Sequence, residues 1–400
     1  MLGALRHRNF KLFFAGGIVS QVGTWMQTIA QSWLVLQLTH SAVAVGLVVA
    51  AQFLPVLLVG QFGGLVADRF PKRRVLLMTQ VAFILPAAFL FTIEQAHVTQ
   101  VWMVFGAAVA TGCVSAVEVP VRQSFVIEMV GREDLMNAIA LQSSIFTAAS
   151  VVGPSVAGVL IATVGIQVCF LVNAVSYLAV IGALLLMSGL PAVTTRPSDG
   201  ESAFQRMRAG ASYAAHDPTV GMVLVAVSVF SLFAMNRQTL IPVFADTVLG
   251  VGARGYGFLM AAAGLGALGG ALVMAYLGPG GADPRRQFWT AIVWTVSLVG
   301  FSISRMFVLS LFLLVITGFC QMTFLAISNT RIQTTTPDHL RGRVMALYAQ
   351  AVLGVSPFGS AQAGLLAGAL GPQWSMAIGA IVAGAVVVGI RVVRPGTFQG

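Results

Sequence analysis

The stretch Gly63-Gly64-Leu65-Val66-Ala67-Asp68-Arg69-Phe70-Pro71-Lys72-Arg73-Arg74 sets five charges between two long apolar runs, in a 400-residue chain of which only 8% is charged. In hydrocarbon each of those charges would cost about 2.5 to 3.5 kcal/mol on insertion scales, so the spans on either side stop here and the loop meets water. The excess of Arg and Lys over Asp marks that water as cytoplasmic.

The rest of the composition agrees. Hydrophobic residues make up 58% of the chain, with 43 glycines, and apolar segments recur along its whole length. A soluble chain of this size would need far more polar surface, whereas a bilayer-spanning helix needs about 20 mostly apolar residues. The expected class is therefore an all-α membrane protein, and the net charge of +10 reads as topology, with no nucleic-acid partner implied. Cys113, Cys169 and Cys320 fall inside apolar runs without paired spacing, which points to packing and away from a disulfide framework or zinc site. Arg6, Arg8 and Lys11 precede an apolar run without a small-residue cleavage site, which reads as a first span and not a signal peptide.

Twelve spans are expected: Lys11 to Gln37, Ala42 to Ala67, Val75 to Ile93, Val98 to Val119, Asn137 to Val164, Ile166 to Met187, Thr219 to Pro242, Tyr256 to Leu277, Phe288 to Ile303, Phe307 to Ser328, Val344 to Ala369 and Trp374 to Val393. The domains are then an N-terminal six-helix bundle over 1–187, a polar linker over 188–218 and a C-terminal six-helix bundle over 219–400. Within the linker, 202–215 has the pattern of a short helix lying on the membrane surface. This threading puts 19 of the 22 Lys and Arg residues on one side; Arg254 and Arg305 lie on the other, and Arg237 lies within a span. Both termini are expected in the cytoplasm.

The halves read as repeats. Glu133-Asp134-Leu135 follows the fourth span and Asp338-His339-Leu340 follows the tenth; Gly153-Pro154 and Ser356-Pro357 lie further along the next helices. Two duplicated bundles with a polar linker are how a pseudo-twofold transporter encloses a midplane site.

The loop over Gly64, Asp68, Arg69 and Arg73 resembles the motif between the second and third helices of the major facilitator superfamily, with Val66 and Pro71 as departures. The segment around Gly153, Pro154 and Gly158 resembles the motif of its proton-coupled antiporters. Pro120-x-Arg122 and Pro337 through Arg343 resemble the bacterial exporter branch that includes macrolide and multidrug efflux pumps and the enterobactin exporter. The resemblance implies two pseudo-twofold-related six-helix bundles, a multi-pass location in the bacterial inner membrane and a monomer. It also implies that Asp68 meets the start of the eleventh helix as a gate, where a helix N-terminus favours a carboxylate. Arg69, Lys72, Arg73 and Arg74 read as topology determinants and lipid-headgroup contacts.

No nucleotide-binding loop, hydrolase motif or cofactor motif is present; the only lysines are Lys11 and Lys72. The chain is not expected to be an enzyme or to carry a cofactor, so a gradient must supply the energy. Coupling to protons needs a carboxylate or His that changes protonation. Glu118 is the candidate: Thr111, Ser115, Glu118 and Arg122 share one stripe of the fourth span, and Pro120 sits between the charges. The plainer alternative is an ion pair of Glu118 with Arg122 near the cytoplasmic end of that helix. The resemblance implies that the first, fourth, seventh and tenth helices surround the cavity, which makes Thr24, Gln27 and Gln31 on the first span, Thr111 and Ser115 on the fourth and Gln321 on the tenth candidate cavity residues; each could equally tie helices together. Arg237 reads as a snorkelling or outer-gate residue, or as the ligand of an anionic substrate.

The expected function is proton-coupled export of amphiphilic small molecules, drug-like or siderophore-like, by alternating access. Its partners are the small-molecule substrate, protons and membrane lipids. An importer or uniporter, a lipid flippase and a transport-inactive sensor remain alternatives.

Overall fold

The computed structural model describes residues 3–131, 133–188 and 211–394, except for the side chains of 61–65, 67, 68, 279, 338 and 339. Its secondary structure is helical throughout the described residues: α1 (Arg8–Thr39), α2 (Ala42–Arg69), α3 (Lys72–Gln95), α4 (Val101–Val130), α5 (Leu135–Thr163), α6 (Gln167–Leu185), α7 (Pro218–Phe233), α8 (Arg237–Thr247), α9 (Gly252–Leu277), α10 (Pro284–Ile303), α11 (Phe307–Thr335), α12 (Asp338–Ala349), α13 (Ser356–Leu370) and α14 (Pro372–Val393). Among the described residues ten segments are long and apolar enough to cross a bilayer, counting α7 with α8 and α12 with α13 as single segments. Of the twelve expected spans, α1 and α10 have the length but not the apolarity; α1 carries Gln21, Gln27, Gln31 and Gln37.

Local chemistry sets the boundaries. Asp217 and Asp283 accept backbone N–H bonds at the starts of α7 and α10, each followed by a proline that loses no helical bond there. Several expected boundaries move; among them, the tenth span runs on from Ser328 to Thr335, and the eleventh is interrupted between Ala349 and Ser356. The fourth span continues past Val119 to Val130, because Pro120 is accommodated inside α4. Thus Glu118 lies twelve residues from the helix end, roughly 18 Å inside it. The seventh span is not continuous: the helix ends at Phe233 and restarts at Arg237. At the break the Asn236 side chain donates to the Leu232 carbonyl at 2.8 Å, competing with the backbone for its helical acceptor.

The helices form two compact units, Met1–His40 with Ala51–Pro197 and Ser41–Ala50 with Ser198–Gly400. In the first, α1 packs on α5 and α6, and α3 on α4 and α6. A Cβ at Gly16 would sit 2.8 Å from the Ala179 carbonyl oxygen, and one at Gly153 would sit 2.5 Å from Trp25 Cβ, so both glycines let backbones approach. Phe10, Phe13, Leu76, Phe125 and Leu184 fill a core at one end. In the second unit α9 and α11 touch along their backbones: a Cβ at Gly266 would collide with the Val315 carbonyl, and one at Gly318 with the Ala263 carbonyl. Phe230, Trp294 and Phe324 form an aromatic stack with centroids 4.5 to 6.0 Å apart. Most of the expected linker, 189–210, lies outside the described residues, as does the greater part of the expected surface helix; 211–216 is helical.

Candidate functional site

In the first unit Glu118 and Arg122 stand one turn apart on α4, and Arg122 Nε donates to Glu118 Oε1. Glu118 is 6% exposed, and the half-buried Arg122 guanidinium lies 5.2 Å from the centroid of the Phe13 ring. Having the acid N-terminal to the base suits both the pair and the helix dipole. Around them is a neutral polar cluster. Asn173 Nδ2 of α6 donates to Gln27 Oε1 of α1 at 2.7 Å and to the Tyr177 hydroxyl at 3.2 Å. Tyr177 faces Thr24 and lies in the field of both Glu118 and Arg122. The arrangement has two chemical states: with Glu118 ionised the pair is closed, and a proton on Glu118 would remove the charge that holds Arg122.

At the end of this unit where α2 meets α3, Lys72 forms an ion pair with Glu128 of α4. Arg73 donates to the Leu184 and Leu185 carbonyls at 2.7 and 3.0 Å, capping the C-terminus of α6. His7 Nε2 meets Asp134 Oδ2 at 2.8 Å. Lys72 and Arg73 thus bind protein groups, where headgroup contacts were expected; a helix C-terminus and a carboxylate lie within their reach. Asp68 and Arg69 belong to the last turn of α2, not to a loop. The Arg69 side chain is exposed, whereas Gly64 and the Asp68 side chain lie outside the residues whose side chains are described.

In the second unit the restart of α8 places Arg237 in a small pocket of about 20 Å³, room for a water-sized group. Arg237 Nη1 donates to Gln321 Oε1 of α11 at 3.1 Å. Phe301, Leu298, Leu314 and Met376 supply apolar walls. Arg237 accordingly turns into its unit and does not snorkel. A separate network joins Gln287 Nε2 to Ser328 Oγ at 2.7 Å and Arg331 to Gln287 Oε1. Among the described residues no group of three or more His, Cys, Asp or Glu could hold a metal ion.

The sequence profile of the transmembrane secretion effector family, a branch of the major facilitator superfamily, matches residues 1–397. The chain belongs to this family. The transporter is 23% identical over 344 residues to the staphyloferrin A transporter of Staphylococcus aureus, covering 84% of each protein. It is 28% identical over 366 residues to the enterobactin exporter EntS of Shigella boydii serotype 18, covering 87% of this chain and 83% of that one. Among solved structures it superposes on the nucleoside transporter NupG with a TM-score of 0.75 at 11% identity, over 97% of this chain and 100% of that one. A bacterial homolog of the human lysosomal transporter Spinster gives 0.74 at 14% identity, over 98% and 96%. These likenesses establish the major facilitator fold, and the family makes the chain a multi-pass membrane transporter of a small molecule.

The transporter thus brings Glu118, Arg122, Thr24 and Gln27 into one neighbourhood, and Arg237 and Gln321 into another. The hydroxyls of Thr111 and Ser115 turn back to the carbonyls of Ala107 and Thr111 on their own helix, at 2.9 and 2.8 Å. Gln27 ties α1 to α6, whereas the buried amide nitrogen of Gln31 has no hydrogen-bond partner. Gly153, Pro154 and Gly158 are buried in α5, with Gly153 set against α1. Sequence reasoning missed Asn173 and Tyr177, one turn apart on the largely apolar α6. It also assigned Arg331 to a loop, whereas α11 continues through it to Thr335 and holds it 7% exposed. The available signal was the spacing of Gln287, Ser328 and Arg331 as rare polar residues at span ends.

Proposed function

We propose that the transporter exports amphiphilic, siderophore-like or drug-like molecules against their gradient in exchange for protons, with Glu118 as the coupling carboxylate. The observation that carries this reading is the buried Glu118–Arg122 pair deep within α4. The other acidic residues of the described spans lie near helix ends: Glu128 is two residues from the end of α4, Glu94 one from the end of α3 and Asp246 one from the end of α8. A carboxylate at that depth is expensive unless it is paired or neutralised, and alternation between those two conditions is what coupling needs. Export and the siderophore class are supported by the names of the two relatives, one an exporter and both associated with siderophores.

Both termini face the cytoplasm of a bacterial inner membrane in this reading. The Lys and Arg bias remains large even though Arg122 and Arg331 lie within helices. Transport proceeds by alternating access, with Asp68, Arg69 and Arg73 at the gate. The test is transport in proteoliposomes with an imposed pH gradient, using purified siderophores and dye substrates. Glu118→Gln should abolish uphill movement and preserve downhill exchange. Full gradient-driven transport by that variant would refute the assignment.

A further inference from the structure

We propose that the pocket at the break between α7 and α8 receives an anionic group of the substrate, so that the transported molecule is an amphiphile bearing a carboxylate or a similarly delocalised anion. This rests on the transporter reading and adds to it the charge of the substrate and the residues that select it. Arg237 is half-buried, and among the described residues it makes no ion pair. The next acidic residue along its helix is Asp246, nine positions on and about 14 Å away along the axis. Its partner in the pocket is the neutral Gln321, which accepts one of the five guanidinium N–H donors. A cation kept at this depth with a neutral partner leaves a fork of donors for a second, planar acceptor, and a carboxylate matches that fork in two parallel bonds.

Two further features have the same sign. Gln321 gives its oxygen to Arg237, which leaves its amide nitrogen as another donor at the same place. The interruption of the span makes Arg237 the first residue of α8, so the positive end of that eleven-residue helix lies at the pocket. Beyond this polar corner the lining is apolar, with Phe301, Leu298, Leu314 and Met376. Organic cations are disfavoured by the same guanidinium.

The experiment is equilibrium binding to the purified full-length protein in detergent, using fluorescent dansylglycine and its uncharged counterpart dansylglycinamide. Wild type should bind the carboxylate at least tenfold more tightly than the amide. Arg237→Gln should remove that preference while leaving amide binding unchanged, and Arg237→Lys should keep part of it. Gln321→Glu, which supplies an internal carboxylate to Arg237, should also lose the preference, and it guards against misfolding of the Arg237 variants. Equal affinity of wild type for both probes, no binding of dansylglycine, or an unaltered preference in both Arg237→Gln and Gln321→Glu would overturn the proposal. No gradient is present in this assay, so a failure of proton coupling leaves it untouched.

Discussion

Removing one partner of the Glu118–Arg122 pair should cost different amounts depending on which partner goes. Arg122→Gln leaves a carboxylate whose side chain is 8% exposed; Glu118→Gln leaves a guanidinium that is 24% exposed and retains the Phe13 ring at 5.2 Å. Breaking a buried pair typically costs about 3 to 5 kcal/mol, because the remaining charge stays buried without compensation. Arg122→Gln should fall within that range. Water reaches part of Arg122, and the ring contributes about 0.5 to 2 kcal/mol, which should hold the loss in Glu118→Gln to roughly 1 to 3 kcal/mol. The double variant, with two neutral amides able to bond each other, should be more stable than Arg122→Gln alone. Apparent melting midpoints of purified protein at neutral pH, all taken at one scan rate, give the ranking. An Arg122→Gln midpoint equal to or above that of Glu118→Gln would refute the geometry on which this reasoning rests.

Gly318→Leu should lower the melting midpoint by the equivalent of about 1 to 3 kcal/mol or prevent folding, because its Cβ has no room against the Ala263 carbonyl; Gly106→Ala, with nothing within 4 Å, should be tolerated. Arg73→Ala uncaps two carbonyls at the end of α6 and should cost about 1 to 3 kcal/mol in the same assay, whereas an exposed solvated Arg would cost nothing measurable. A cysteine replacing Ser198 should resist an impermeant thiol reagent in intact cells, and efficient labelling would reverse the proposed orientation.

The fold was legible because hydrocarbon penalises bare charge: charges interrupt apolar runs where the chain leaves the bilayer, or where a partner within the fold takes up the charge or its hydrogen bonds. The first alternative holds at Arg69 to Arg74, which made that stretch decisive. The second holds at Glu118 to Arg122 and at Arg331, and there the spans extend further than apolarity alone indicates. Pro120 invited the early ending of the fourth span, yet it is tolerated within α4. The break at Asn236 was missed although the four polar residues Asn236-Arg237-Gln238-Thr239 interrupt the apolar run there. No glycine or proline marks it, and the interruption depends on a side chain bonding the preceding turn. Glu118 and Arg122 were readable as a pair because both lie on one helix. The Asn173 bridge to Gln27 joins residues 146 positions apart, and periodicity within a helix carries no information about such a contact.

The two polar sites differ in electrical character, and this has a consequence for energetics. The first holds a compensated pair, in which one proton changes the charge by one; the second holds a cation with a neutral partner. If the first carries a proton inward and the second carries a monoanion outward, each one-for-one cycle moves two positive charges toward the cytoplasm. One elementary charge crossing 100 mV is worth about 2.3 kcal/mol, so an inside-negative potential of that size would contribute about 4.6 kcal/mol to export, before any pH gradient is counted. A cationic substrate exchanged for one proton would give no net charge movement and no such drive. Proteoliposomes containing the transporter, with pH equal on both sides and the potential clamped by potassium and valinomycin, should therefore export an anionic amphiphile faster as the compartment corresponding to the cytoplasm is made more negative. Arg237→Gln should lose export of the anion at every potential, whereas Glu118→Gln should lose uphill export and retain downhill exchange. Rates indifferent to potential in the wild type would exclude two-charge movement, and with it the pairing of an inward proton with an outward monoanion.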